Sequence, residues 1–197
     1  VEWRELIVDG YDRLPEMLEE VLGGLSIADL DWQPHPDCNS IGWTAWHLTR
    51  VQDGQIADLM GEAPLWTRDR WHARFGRPAD PEDSGYRHTA AQVRAFRSPS
   101  AKTQLDYLQA TVVRTKQYLA GLAPAELDRE LDEAWQQPPP TVAVRLVSIL
   151  TDCHLHAGEA SYIRGLLRAR KKPPRAPVAK RAARPAARRS PARRRKR

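Results

Sequence analysis

The chain has no run of eighteen apolar residues, so no transmembrane helix is expected. It has only two cysteines, Cys38 and Cys153. No disulfide framework can be built from them, and a reducing cytoplasm is the expected compartment. Strand-like alternation of β-branched residues is nearly missing, which argues against a sheet. The opening residues, with Glu2, Arg4, Glu5, Asp9 and Asp12, are too charged for a secretory leader. Acids are missing from one stretch: residues 168–197 hold 15 Lys or Arg and no Asp or Glu. All 25 acids and the other 16 bases lie in 1–167, which therefore carries −9 although the whole chain carries +6. An acidic globule with a basic tail needs two separate explanations.

The globule reads as all-α. Leu14, Met17, Leu18, Val21, Leu22 and Leu25 recur at three- and four-residue steps, the mark of an amphipathic helix, and Gly23-Gly24 marks its end. Ser26 to Asp29 reads as a short capped turn. Pro34 and Pro36 impose an extended connection. A second long helix starts at Asn39 or Ser40, carries Ile41, Ala45, Leu48 and Ile56, and stops near Gly61. Residues 61–98 read as a long irregular connection holding Trp66, Trp71, Phe75 and Tyr86, with a capping box at Thr89–Gln92 for one short helix. Connections of this length often serve as lids or binding loops.

A third long helix is expected after Ser98-Pro99, with Pro in its first turn, a seam of Ala101, Leu105, Leu108, Val112 and Leu119, and a stop at Gly121. A short turn follows within Pro124–Leu131, then a stiff spacer at Pro138–Pro140. Thr141 can cap the fourth helix, with a core stripe of Leu146, Ile149, Leu150, Cys153, Ala157, Ala160 and Ile163. Four long helices with long connections favour a four-helix bundle.

Two stretches about a hundred residues apart carry the chemistry. They are Ser40-Ile-Gly-Trp43-Thr-Ala-Trp46-His47-Leu48 and Asp152-Cys-His154-Leu-His156-Ala-Gly-Glu159. On a helix Asp152 and His156 sit about 40° apart after a full turn, whereas His154 lies about 200° from Asp152 and points elsewhere. If His47 faces the pair from another helix, three ligand-type side chains converge. Imidazole and carboxylate suit Zn²⁺, Fe²⁺ or Ni²⁺. Three protein ligands leave a position open, as in catalytic sites. A helix-surface hydrogen bond between Asp152 and His156 is the bland alternative. Trp43, Trp46 and Trp71 are candidates for a substrate pocket, with core packing as their alternative. His35, His72 and His88 lie in predicted loops without partner spacing and read as surface residues.

Ser-Ile-Gly-Trp-x-x-Trp-His-Leu, together with Asp-x-x-x-His-Ala-Gly-Glu-Ala-x-Tyr-Ile-Arg-Gly at 152–165, resembles the second and fourth helices of the DinB-like superfamily. The resemblance extends to its YfiT-like and mycothiol-dependent branches and covers 1–167. It implies a four-helix bundle with a divalent metal held by His47, Asp152 and His156. Many relatives carry His at position 152. The mycothiol-dependent maleylpyruvate isomerases carry a carboxylate there, though a Glu, one methylene longer than Asp. The chemistry implied is activation of a low-molecular-weight thiol, with transfer to a small electrophile or isomerisation of the adduct. Alanine- and arginine-rich usage suggests GC-rich, actinobacterial coding, which favours mycothiol as co-substrate.

The tail, with Pro173, Pro174, Pro177, Pro185 and Pro191, is expected to be disordered and to attract polyanions. Ala183 to Arg189 resembles the basic tails of bacterial chromatin proteins and linker histones. Arg188, Arg189, Arg193, Arg194 and Arg195 are the candidate nucleic-acid contacts. A tail without aromatics cannot stack on bases, so binding would be non-specific. Three readings stay open: a metal-dependent thiol transferase or isomerase, a metal-free bundle that binds a ligand or partner, and a DNA-associated stress protein tethered by its tail. A homodimer is compatible with each.

Overall fold

The computed structural model describes residues 2–132 and 137–171. Among these the regular elements are helical, apart from one isolated antiparallel bridge between Glu130 and Thr141. No helix among them is long and apolar enough to cross a membrane. Of the tail expected to be disordered from residue 168, the stretch 168–171 is helical instead; the remainder, with Arg188, Arg189, Arg193, Arg194 and Arg195, lies outside the described residues.

α1 (Trp3–Leu22) starts from a capping box between Glu2 and Glu5 and tolerates Pro15 in its interior. Gly23 ends it by donating to the Glu19 carbonyl at 2.9 Å. α2 (Ile27–Leu30) is the turn capped by Ser26 and Asp29. α3 (Ile41–Met60) is capped by Ser40, whose hydroxyl accepts from the N–H of Trp43, and it ends at Gly61 in the left-handed conformation. The connection that follows is more ordered than its sequence suggests. It holds α4 (Leu65–Arg68), α5 (Trp71–Arg74) and α6 (Ala90–Ala95), the last with the expected Thr89–Gln92 capping box. α7 (Ala101–Gly121) is capped by Ser100, so Pro99 precedes the cap instead of occupying the first turn. A 3₁₀ turn at Pro124–Asp128 leads to α8 (Val142–Lys171), where the Thr141 hydroxyl accepts from Val144. α8 continues through Arg168 and Arg170, beyond residue 167 where the composition changes.

α3 packs most extensively on α8. Further contacts join α8 to α1, α1 to α7 and α7 to α3. These four helices close a ring in which α1 lies diagonal to α3 and α7 diagonal to α8. Inside the ring Leu14, Leu18, Leu22, Ile41, Leu48, Leu108, Leu119, Ile149 and Cys153 are wholly buried. The expected periodic stripes all point into this core.

A second core lies on the other side of α3, beneath the 61–98 connection: Trp43, Trp46, Leu65, Trp66, Trp71, Phe75, Val93, Phe96 and Tyr107. Buried charge ties it down. The carboxylate of Asp53, fully buried, accepts from the N–H groups of Leu65 (2.8 Å) and Trp66 (2.9 Å) and from the Tyr107 hydroxyl (2.7 Å). Arg50, equally buried, donates to the carbonyls of Asp83 (3.1 Å) and Pro81 (2.6 Å) and to Asp53 (3.4 Å), and lies over the Trp66 ring. Arg114 adds a second cation beside Asp53 at 3.5 Å. Because a buried charge needs partners, this network fixes where the connection runs. At its far end the chain returns to the start of α3. There Gly42 is required, because a Cβ would sit 1.8 Å from the Ser98 hydroxyl.

Candidate metal centre

α3 carries His47, and α8 carries Asp152 and His156 one turn apart. The close packing of these two helices brings the three together. Among the described residues they form a group that could hold a metal ion, with one ligand atom of each within 4.8 Å of the others. The rings of His47 and His156 meet edge to face at 4.7 Å. Nε2 of His156 lies 3.5 Å from Oδ1 of Asp152. The other Asp152 oxygen, Oδ2, is buried with no hydrogen-bond partner.

The protons on the imidazoles follow from their neighbours. Nδ1 of His47 meets the carbonyl oxygen of Ser84 at 2.5 Å. A carbonyl only accepts, so Nδ1 carries the proton and Nε2 keeps its lone pair. Nδ1 of His156 likewise meets Oε2 of Glu159 at 2.6 Å. This carboxylate–imidazole arrangement orients ligating histidines. The two rings differ in charge preference. Burial pushes His47 below the usual imidazole range, and the neighbouring His156 adds to this, against the pull of the Ser84 carbonyl. His156 is raised, first by its hydrogen bond to Asp152 and then, against burial, by Glu159. A divalent ion held at the three side chains would replace a proton that His156 otherwise shares with Asp152.

His154, as the helix phase predicted, is apart from this group. Its Nδ1 meets the Leu150 carbonyl at 2.9 Å, and it lines a groove with Pro34, Cys38 and Tyr162. The tryptophans proposed for a substrate pocket are buried in the aromatic core. Trp43 stacks on the His47 ring at 4.8 Å and 14°, Trp46 meets Trp66 at 6.2 Å, and Trp71 stacks on Tyr107 at 5.0 Å. None of the three lines the open cleft of about 430 Å³ beside the centre. Its walls are His47, Arg50, Val51, Gly54, Gln55, Asp58, Pro64, Pro81, Glu82, Ser84, Tyr86 and Asp152. Trp43 therefore supports the His47 ring instead of facing the cleft.

His88 is not the surface residue its loop position suggested. It accepts from the indole N–H of Trp43 at 3.2 Å, so its proton is on Nε2, which donates to Asp83 at 3.0 Å. Burial pushes the Asp83 carboxyl up, but Arg77 at 2.6 Å and His88 outweigh it and hold the group below the usual range. His35 is exposed, and His72 lies half-buried near Trp66. Arg50, Asp83, Ser84 and Glu159 were not recognised from sequence. Glu159 could have been, three residues after His156 on the same helix face. Ser84 contributes a backbone carbonyl, for which no sequence signal exists.

The family model described as the DinB superfamily matches residues 11–160. Among solved structures, the crystal structure of the conserved protein of locus from Enterococcus faecalis is similar, with a TM-score of 0.79 and 33% sequence identity. The similarity covers 86% of this chain and 99% of that one. Comparison with curated proteins gave no match.

Proposed function

The chain belongs to the DinB superfamily, and on that premise we propose that His47, Asp152 and His156 hold one divalent ion, Zn²⁺, Ni²⁺ or Fe²⁺, for thiol chemistry. The reaction would be transfer of a low-molecular-weight thiol to a small electrophile, or isomerisation of such an adduct. One observation carries the reading. A buried Asp152 oxygen without a partner lies in the same group as two imidazoles whose Nδ1 atoms are engaged elsewhere. The donor set, two nitrogens and a carboxylate, fits such an ion.

When bound, the ion supplies Lewis acidity that makes a thiolate available at neutral pH. The protein's own groups shape what enters. On the cleft wall Asp58 and Glu82 outnumber the cation Arg50, whose donors are spent on Pro81, Asp83 and Asp53, which disfavours a thiol bearing several carboxylates. A neutral, hydroxyl-rich thiol such as mycothiol is the better match, with Gln55 and Ser84 offering polar contacts. Pro64, Pro81 and Val51 offer an apolar wall to the electrophile.

The test is metal analysis of tag-free protein supplied with each ion, followed by thiol consumption with mycothiol, bacillithiol and glutathione against chlorinated aromatics and epoxides. One ion per chain and turnover fastest with mycothiol are expected. Absence of stoichiometric metal, or silence with all three thiols on loaded protein, overturns the reading. The metal-free bundle keeps one supporting observation: His156 lies between Asp152 and Glu159, so as a cation it is satisfied without an ion. Metal analysis decides between the two.

The tail supports a separate proposal. Its 15 cations on a −9 body should bind DNA without sequence preference. Retention on DNA should fall by roughly 10³–10⁵ between about 50 and 200 mM salt if about six to ten phosphates are contacted. Binding that survives deletion of 168–197 would refute it.

A further inference from the structure

We propose, resting on the metal reading above, that the turn Ser84–His88 is a positioning element for the metal centre, which locks His47 in the tautomer that presents Nε2 to the ion. No side chain of this turn belongs to the ligand group, and its action runs through the Ser84 carbonyl on Nδ1 of His47. With the proton moved to Nε2, two acceptors would face each other at hydrogen-bond distance, and the ligand atom would be blocked.

Three features hold that carbonyl in place. Arg50 grips the turn from below through the carbonyls of Pro81 and Asp83. Asp83 is clamped between Arg77 and His88, and His88 in turn accepts from Trp43, the ring stacked on His47. His47 is thus held on its face by Trp43 and on its edge by Ser84, and His88 joins the two supports. Gly85 lets the backbone reach the ring. At φ +89°, a Cβ there would lie 2.9 Å from Trp43, 2.9 Å from Trp46 and 3.1 Å from Nδ1 of His47. Arg87, a non-glycine residue, is also held at φ 60°. The same turn lines the cleft through Ser84 and Tyr86, so it joins the ligand to the space a substrate would fill.

The proposal makes His88 and Gly85 positioning residues, testable with and without metal. Histidine ¹⁵N NMR on metal-free protein, at about pH 7.5 where an imidazole of ordinary pKa is neutral, should show His47 as a single Nδ1–H tautomer. Gly85→Ala and His88→Leu should mix the tautomers and weaken Co²⁺ binding, read by visible absorption, by about 10–100-fold, as loss of an outer-shell partner does. His88→Gln can accept from Trp43 and donate to Asp83, and should restore both readouts. An Nε2–H tautomer in the unmodified protein overturns the proposal. So do Gly85→Ala and His88→Leu proteins that keep the native tautomer and Co²⁺ affinity. If the unmodified protein binds no Co²⁺, the metal reading fails, while the tautomer measurement still decides what the turn does to His47. That measurement on the unmodified chain also decides if the variants do not fold.

Discussion

The interior of this bundle has two parts built on different principles, and α3 takes part in both. On one side Ile41, Ala45, Leu48 and Ile56 join an aliphatic core shared by the four long helices. On the other, Trp43 and Trp46 join an aromatic core crossed by Arg50, Asp53, Arg114 and Tyr107. The first is held by volume: apolar surface removed from water at roughly 25 cal/mol per Å², tolerant of similar shapes. The second depends on direction, because each buried charge must keep its partners. His47 lies at the boundary, between the aromatic core and the α8 residues that flank Cys153 and Ala157. Both supports of the His47 ring, Trp43 on its face and the Ser84 carbonyl on its edge, come from the directional side.

The sharpest break in this comparison lies at the boundary itself. His156→Ala should abolish stoichiometric metal binding, and His154→Ala should leave it within about twofold, a small effect expected of a residue outside the donor set. Equal loss from both, by elemental analysis, would contradict the α8 phase. Within the directional core, Asp53→Ala should destabilise the fold by about 3–5 kcal/mol, because it removes the buried counter-charge of Arg50 and leaves the N–H groups of Leu65 and Trp66 without their acceptor. It should also weaken Co²⁺ binding, since the Arg50 contacts to Pro81 and Asp83 loosen. In the aliphatic core, Leu18→Ala should cost about 2–5 kcal/mol by urea denaturation. There the Co²⁺ affinity of the folded fraction should stay unchanged. If both variants weaken metal binding alike, the two parts are not separable.

The smallest effect concerns pH. The native pKa of His156 is raised, so its contribution to stability is complete below the unfolded value near 6.5 and is lost as pH rises through the native value. The native pKa of His47 is lowered, so it destabilises as pH falls below that unfolded value, where the unfolded chain takes a proton the native ring refuses. In metal-free protein, the variant His156→Gln should therefore gain stability with rising pH across about 5–8 relative to the unmodified chain. His47→Gln should lose it. Denaturation midpoints with matching slopes in the two variants would refute the assignment.

The aliphatic part was legible in sequence because its signal is periodic: the 3.6-residue recurrence of Leu14 to Leu22 or Leu146 to Ile163 states both the helix and its inner face. The caps at Ser26, Ser40 and Thr89 were legible for the same local reason. His47, Asp152 and His156 could be grouped because two of them are one turn apart and the third lies in a motif. The directional part was not legible. Asp53 caps a helix twelve residues downstream that shows no periodicity of its own, and His88 gains its partners from α3 and from Asp83. Trp43, Trp46 and Trp71 suggested a pocket by residue type, yet large rings fill space first, and here they fill it under a connection whose path is fixed by buried charge.

The α3–α8 contact carries a consequence for synthesis. The three candidate ligands, His47, Asp152 and His156, come from α3 and α8, so they come together only after α8 has left the ribosome. A nascent chain that has exposed His47 alone lacks two of the three candidate ligands, as does every prematurely terminated product without α8. If the group holds an ion, capture would be confined to chains whose bundle is closed, and occupancy would be a record of completed folding.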